Sequence, residues 1–203
     1  MSYFPFFVEL DGVRGLVVGG GPVALRKAEK LLPYGPVLTV VAPEVEPELS
    51  EQPGVTLVRR PFQEEDLEGA SFVIAAATPE VDRQVAGLCR ERGIPINVVD
   101  DKEACTFLFP ALVKSGSLTV GISTGGASPT AAVYLKEQIE NLLPEDFDVL
   151  LDFLSSLRPV LKEEIADPSR RSQAFSALFR ACMEEGKPLT AQQVGLVLDR
   201  YKH

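Results

Sequence analysis

The run Val17-Val18-Gly19-Gly20-Gly21-Pro22-Val23-Ala24 fits G-x-G-x-x-A, with Gly19, Gly21 and Ala24 in the three fixed positions. Such a loop holds the pyrophosphate of a dinucleotide when it follows a strand and opens a helix. Gly19 permits the tight turn, Gly21 lets backbone amides approach the phosphates, and Ala24 lets helix and strand pack closely. The positive end of the helix then stabilises the phosphate charge. The same letters also serve a glycine turn kept only for strand–helix packing. A second chemically competent position is Asp100, which ends the run Ile96-Asn97-Val98-Val99. Ligands of open α/β sheets bind outside the carboxyl ends of the strands, and a partly desolvated carboxylate there can act as a general base. The plainer alternative is a turn aspartate, with Asp101 beside it. Asn97 could orient a substrate or cap the strand end. Ser123, Thr124, Gly125, Gly126 and Ser128 precede a helix, so they could form an anion site or simply cap that helix through Ser128.

These groups need a sheet to position them. Residues 14–19 read as a short buried strand and 22–34 as a helix with Val23, Ala24, Ala28, Leu31 and Leu32 on one face. Strands are expected at 37–42, 55–59, 71–76 and 94–99, and a helix at 80–92. Strands alternating with helices at this spacing imply a parallel sheet covered on both faces. Beyond Asp101 the rhythm changes. Residues 106–113 and 117–123 read as a hairpin turning at Lys114-Ser115-Gly116, followed by a helix from Pro129 to Leu143. From Pro144 the chain reads as all-helical, with Gly186 ending one helix and Thr190 and Gln193 forming a capping box for the last. The expected class is α/β: a Rossmann-type parallel sheet, then a hairpin-plus-helix region, then a helical C-terminal domain. The corresponding divisions are 1–113, 114–145 and 146–203.

Composition narrows the function. A formal net charge of −9 opposes general nucleic-acid binding, which needs a basic footprint, though a local cationic pocket can still take an anionic small molecule. No apolar run reaches the roughly 18 residues of a membrane span, and the start of the chain lacks the features of a signal peptide. A cytoplasmic protein is expected. Cys89, Cys105 and Cys182 are far apart and read as reduced, mostly buried thiols. The single histidine is the last residue, His203, so neither a histidine metal site nor a histidine base is expected. Arg26, Lys27 and Lys30 read as the solvated face of the first helix, while Lys102 and Lys114 are better placed to meet substrate carboxylates. No Lys or Arg lies between Pro36 and Val58, and Glu44, Glu46 and Glu48 cluster there, which favours NAD over NADP. Glu44, just beyond the second strand, is the nearest carboxylate for the ribose hydroxyls; an ordinary loop carboxylate reads equally well.

Three blocks in order, Gly19–Ala28, Ile96–Asp100 and Ile122–Pro129, together with Cys105–Ala111, resemble the precorrin-2 dehydrogenase family over roughly residues 4–145. That family includes stand-alone enzymes and the N-terminal module of siroheme synthase. The resemblance implies oxidation of precorrin-2, an anionic tetrapyrrole, to sirohydrochlorin with NAD⁺ as hydride acceptor. It also implies a homodimer with the 114–145 region in the interface and, in some members, iron insertion into the product. By resemblance, Pro22, Val23, Pro43 and Glu44 contact the nucleotide, and Asp100 is the key carboxylate. Thr124 stands where some relatives carry a serine near the substrate pocket, and Asn97, Gly125 and Ser128 are the further substrate-binding candidates from their own positions. A different class of reading is an NAD-sensing regulatory module that binds without turnover, because the glycine loop alone does not specify catalysis.

Overall fold

Short β-branched runs bounded by glycine and proline form the strands of the computed structural model, which describes residues 3–202. Met1, Ser2 and the sole histidine, His203, lie outside the described residues. Phe4–Phe109 forms one compact unit and the chain from Pro110 onward another.

In the first unit, β1 (Arg14–Val18), β2 (Val37–Val41), β3 (Val55–Val58), β4 (Phe72–Ala75) and β5 (Ile96–Val98) make one parallel sheet in the order β3-β2-β1-β4-β5. The period of two divides the core. Leu16 and Val18 of β1 join Val73 and Ala75 on one face, where they meet Val85, Ala86 and Cys89 of α3 (Pro79–Arg92). Val17, Leu38, Val40 and Ile74 point to the other face and meet Ala24, Ala28 and Leu31 of α1 (Pro22–Leu31). Helices thus cover both faces, which explains why β4 and β5 are buried at every position and read as continuous apolar runs. The first helix stops at Leu31, short of the expected Tyr34, because Pro33 and the left-handed Gly35 (φ 77°) tighten its end into a 3₁₀ turn. A one-turn helix not foreseen from the sequence, α2 (Pro47–Glu51), links β2 to β3. Between β3 and β4, Arg60 pairs with both oxygens of Asp66 at 2.8 and 2.5 Å, and Asp66 also accepts the Gln63 N–H.

The second unit carries the antiparallel hairpin β6 (Ala111–Ser115) and β7 (Leu118–Ile122). The expected strand over 106–113 is therefore displaced. Thr106 and Phe107 donate their N–H groups to Ile96 O, and Phe107 and Phe109 pack into the first unit's core, so these residues are not available to the hairpin. Helices α4 (Pro129–Leu142), α5 (Phe147–Glu164), α6 (Pro168–Glu185) and α7 (Ala191–Leu198) follow. Leu150, Leu154, Leu161, Leu178 and Val194 form the core of the last three. Gly186 ends α6 in the left-handed conformation (φ 68°), and Thr190 and Gln193 cap α7 reciprocally, both as expected. All three cysteines are free thiols. Burial pushes the Cys89 thiol up to about 11 and raises that of Cys182, which keeps both inert.

Candidate functional site

The turn that leaves β1 is set by close backbone contacts. Gly19 has φ 118°, and a Cβ there would overlap the Ala76 carbonyl. Its N–H donates to Val41 O at 2.9 Å, while Ala76 N donates to Val18 O at 2.8 Å. Gly20, which the G-x-G-x-x-A pattern leaves unspecified, is equally constrained. Its carbonyl accepts from Glu46 N at 2.8 Å, and a side chain there would meet Glu44 O. Gly21 differs from both: a Cβ on it would meet nothing within 4 Å. It is the N-cap of α1 and supplies no side-chain cap, Pro22 sits in the first turn, and no acidic residue does. A helix start without its own cap, opening onto free space, suits a pyrophosphate group. The residues present therefore fit a dinucleotide. Pro43 and Glu44 lie exposed on the loop beyond β2, at the same carboxyl edge of the sheet.

Val23 lines a cleft of about 450 Å³ together with Ala76, Ala77, Asp82, Val98 and Asp100. Asp100 is the only non-glycine with positive φ (59°) among the described residues. Aspartate tolerates that conformation better than most residues. Its side chain is exposed, so the partial desolvation expected from its strand-end position is not present. Asp101 is exposed as well and lines the same cleft, and its Oδ1 accepts Ala104 N–H at 3.0 Å.

Two residues that belong to the support of this turn are Asn97 and Lys27. Asn97 is buried, at 5 % exposure. It donates to Phe107 O at 3.0 Å and accepts from Lys27 Nζ at 3.1 Å, so its polar atoms are engaged within the unit. Lys27 is half-buried, unlike its exposed neighbours Arg26 and Lys30, and its ammonium sits 3.9 Å from the centre of the Phe109 ring. The solvated-face reading fails for Lys27 because the 105–109 return passes over that side of α1. Burial lowers its pKa, as does Lys30, against the opposing effects of Cys105 and Asp100.

Asp82 of α3 was missed altogether. It is buried at 6 % exposure and accepts Ala77 N–H at 3.0 Å. Burial raises its pKa and outweighs that hydrogen bond. An acidic residue four positions into a helix looks like any first-turn carboxylate in sequence; only its partner in the preceding loop marks it out.

Thr124, Gly125 and Ser128 belong to the second unit. Thr124 Oγ1 donates to Ser128 O at 3.0 Å and accepts Ser128 N–H at 3.1 Å, and Ser128 caps α4 through Ala131 N–H at 3.1 Å. The helix-capping reading of Ser128 is thus present. Gly125 and Gly126 take φ 62° and 88°. Lys114 folds back to donate to Gly116 O at 2.5 Å. Among the described residues no group of three or more His, Cys, Asp or Glu forms a metal-ligand set, and no helix is long and apolar enough to cross a membrane.

Residues 6–111 match the family model described as putative NAD(P)-binding, and residues 115–142 match that of the sirohaem biosynthesis protein central segment. The chain is 37% identical over 202 residues to siroheme synthase of Pseudomonas paraeruginosa, covering 96% of this chain and 43% of that protein. It is 38% identical over 190 residues to siroheme synthase of Pseudomonas entomophila, covering 91% and 41%. The chain therefore spans less than half the length of these curated relatives. Its fold is similar to the solved structure of SirC, precorrin-2 dehydrogenase, with TM-score 0.75, 24% identity and coverage of 98% and 99%.

Proposed function

The chain belongs to the putative NAD(P)-binding family over residues 6–111 and matches the sirohaem biosynthesis central segment over residues 115–142, and from that premise we propose that it oxidises precorrin-2 to sirohydrochlorin with NAD⁺ as hydride acceptor. The observation that carries this reading is that Val23, in the first turn after the glycine loop, and Asp100 line one cleft at the carboxyl edge of the sheet. Bound there, NAD⁺ supplies the nicotinamide carbon that takes the hydride.

The chain's own residues do the rest. Gly19 and Gly21 shape the loop, and the first turn at Pro22 and Val23 presents backbone to the pyrophosphate. Pro43 and Glu44 face the adenosine ribose. Asp100, exposed to the cleft, takes the proton that leaves with the hydride. Asn97, with its amide engaged by Lys27 and Phe107, supports the site from behind. The Thr124–Ser128 loop, with Gly125 at its turn, opens α4 and suits a substrate carboxylate. The unit Phe4–Phe109 binds the cofactor, the hairpin and α4 up to residue 145 form the contact of a cytoplasmic homodimer, and 146–203 complete the helical domain. Iron insertion into the product would rest on transient delivery rather than on a resident metal site.

Spectral conversion of precorrin-2 by the purified protein with NAD⁺ tests the reading. Appearance of the sirohydrochlorin spectrum supports it. Tight NAD⁺ binding with no conversion would instead assign the chain to the NAD-sensing class.

A further inference from the structure

A lysine on a helix surface ordinarily extends to water, where its charge is solvated and its stem is free to move. Lys27 does the opposite. Its ammonium is drawn between Asn97 Oδ1 at 3.1 Å and the face of Phe109 at 3.9 Å. A lysine ammonium can only donate, so it fixes which end of the Asn97 amide faces it. The other end of that amide then donates to Phe107 O at 3.0 Å and lies 3.4 Å from Cys105 Sγ. One cation thus orients the side chain that ties β5 to the returning chain.

Residues 98–105 form a closed loop above that tie. Cys105 Sγ accepts Val98 N–H at 3.1 Å, and its thiol lies 3.2 Å from both Val98 O and Asp101 O. Thr106 pairs with Ile96 through both its backbone and its hydroxyl. Asp100 stands at the turn of this loop, held at φ 59°. An exposed aspartate on a left-handed turn keeps its place only if the base of its loop is rigid.

We propose that Lys27 is a positioning residue for Asp100, acting through Asn97 and Phe109 to clamp the base of the loop that carries the carboxylate. This rests on the reading of Asp100 as the proton acceptor. The charged and titratable groups facing Lys27 are Lys30 from its own helix and Cys105 and Asp100 from the loop, so the negative carboxylate of Asp100 also favours the clamped ammonium. Replacing Lys27 by an apolar residue leaves a buried Asn97 oxygen without its donor, and the amide is then free to reorient.

The test is a double-mutant cycle on the full chain, using Lys27→Met, Asp100→Asn and the double variant, with precorrin-2 and NAD⁺. Lys27→Met is expected to lower kcat by about tenfold to a hundredfold, as displaced catalytic groups do, with NAD⁺ affinity nearly unchanged. The double variant is expected to be no slower than Asp100→Asn alone, because residues acting as one unit are non-additive. A merely structural lysine would instead give losses that multiply. Losses that multiply, or a near-wild-type kcat for Lys27→Met, overturn the proposal. Lys27→Gln retains a donor for Asn97 and serves if the methionine variant does not fold; it should recover part of the rate. Amide exchange separates this proposal from the functional reading. If the wild-type protein leaves precorrin-2 unchanged, that reading fails, and exchange decides the clamp alone. Exchange about tenfold faster at Val98 and Phe107 in Lys27→Met, with the β1 and β2 amides unaltered, supports the clamp. Unchanged exchange at those two positions refutes it.

Discussion

At the residue scale, the proposed role of Asp100 as proton acceptor is open to a direct test. Asp100→Asn keeps the size and one oxygen and removes the base. Turnover should fall by about 10²–10⁴ with NAD⁺ affinity nearly intact. Asp101→Asn should do much less, because its side chain is engaged by the Ala104 N–H and asparagine can still accept there. A near-wild-type rate for Asp100→Asn would send the proton elsewhere. The glycines separate two kinds of damage. Gly19→Ala meets both a positive φ of 118° and the Ala76 carbonyl. It should cost at least about 1–3 kcal/mol of stability in chemical denaturation. Gly21→Ala enters open space at φ −83° and should fold normally while weakening NAD⁺ binding by calorimetry. Equal stability losses in the two variants would contradict this division. The glycine pattern was readable because Gly19 answers a steric demand of the turn and Gly21 leaves room for a ligand at the helix start. Lys27 was not, because Asn97 and Phe109 lie in segments that only folding brings near, and Asp82 was not, because its burial depends on the packing around α3 although its partner, the Ala77 amide, is only five residues away.

At the element scale, α3 begins with a buried carboxylate at its fourth position. The pKa of Asp82 is raised on folding, so the folded state holds that proton more tightly than the unfolded chain. The stability this contributes is fully present below the unfolded value of 3.8 and is lost as pH rises through the raised folded value. Asp82→Asn keeps an acceptor for Ala77 N–H and carries no charge. Its denaturation midpoint should therefore exceed that of the wild type at neutral pH, with the gap closing as pH falls toward 3.8. A gap that is constant with pH would mean that Asp82 does not titrate in that range. The segment after β2 is expected to act on cofactor choice in the same electrostatic terms. Glu44 and Glu46 stand between β2 and α2 and Glu48 in the first turn of α2, with no Lys or Arg between Pro36 and Val58. A 2′-phosphate would be repelled, so kcat/KM should be higher with NAD⁺ than with NADP⁺. Equal or better use of NADP⁺ would show that a cation from elsewhere in the fold reaches the ribose.

At the scale of the whole molecule, α4 exposes Val133, Tyr134, Leu135 and Leu142, at 49, 59, 47 and 73 %. Apolar side chains gathered on one short helix commonly mark an interface, and a two-fold dimer is the commonest closed assembly. Light scattering at micromolar concentration should give twice the chain mass of 22.0 kDa. Tyr134→Glu should give the monomer mass with an unchanged circular dichroism spectrum. A wild-type monomer would remove 114–145 from its proposed role.

The sequence by itself determined the alternation of strand and helix, the glycine turn, the capping of α4 and α7 and the end of α6. Each of these is a matter of side-chain period, steric allowance or a hydrogen bond within a few residues. The displaced hairpin shows where that locality ends. Residues 106–113 have strand-like composition, yet Thr106 and Phe107 bond to Ile96, and the hairpin starts only at Ala111. Competition between two backbone partners is decided by which is nearer once the chain has folded, and neither is visible in the segment's own letters. The same holds for burial. Asp100 reads as a strand-end carboxylate but stands exposed on its turn, whereas Lys27 reads as surface and is drawn inward. Solvation belongs to the packed neighbourhood of an atom, so only the tertiary structure could decide it.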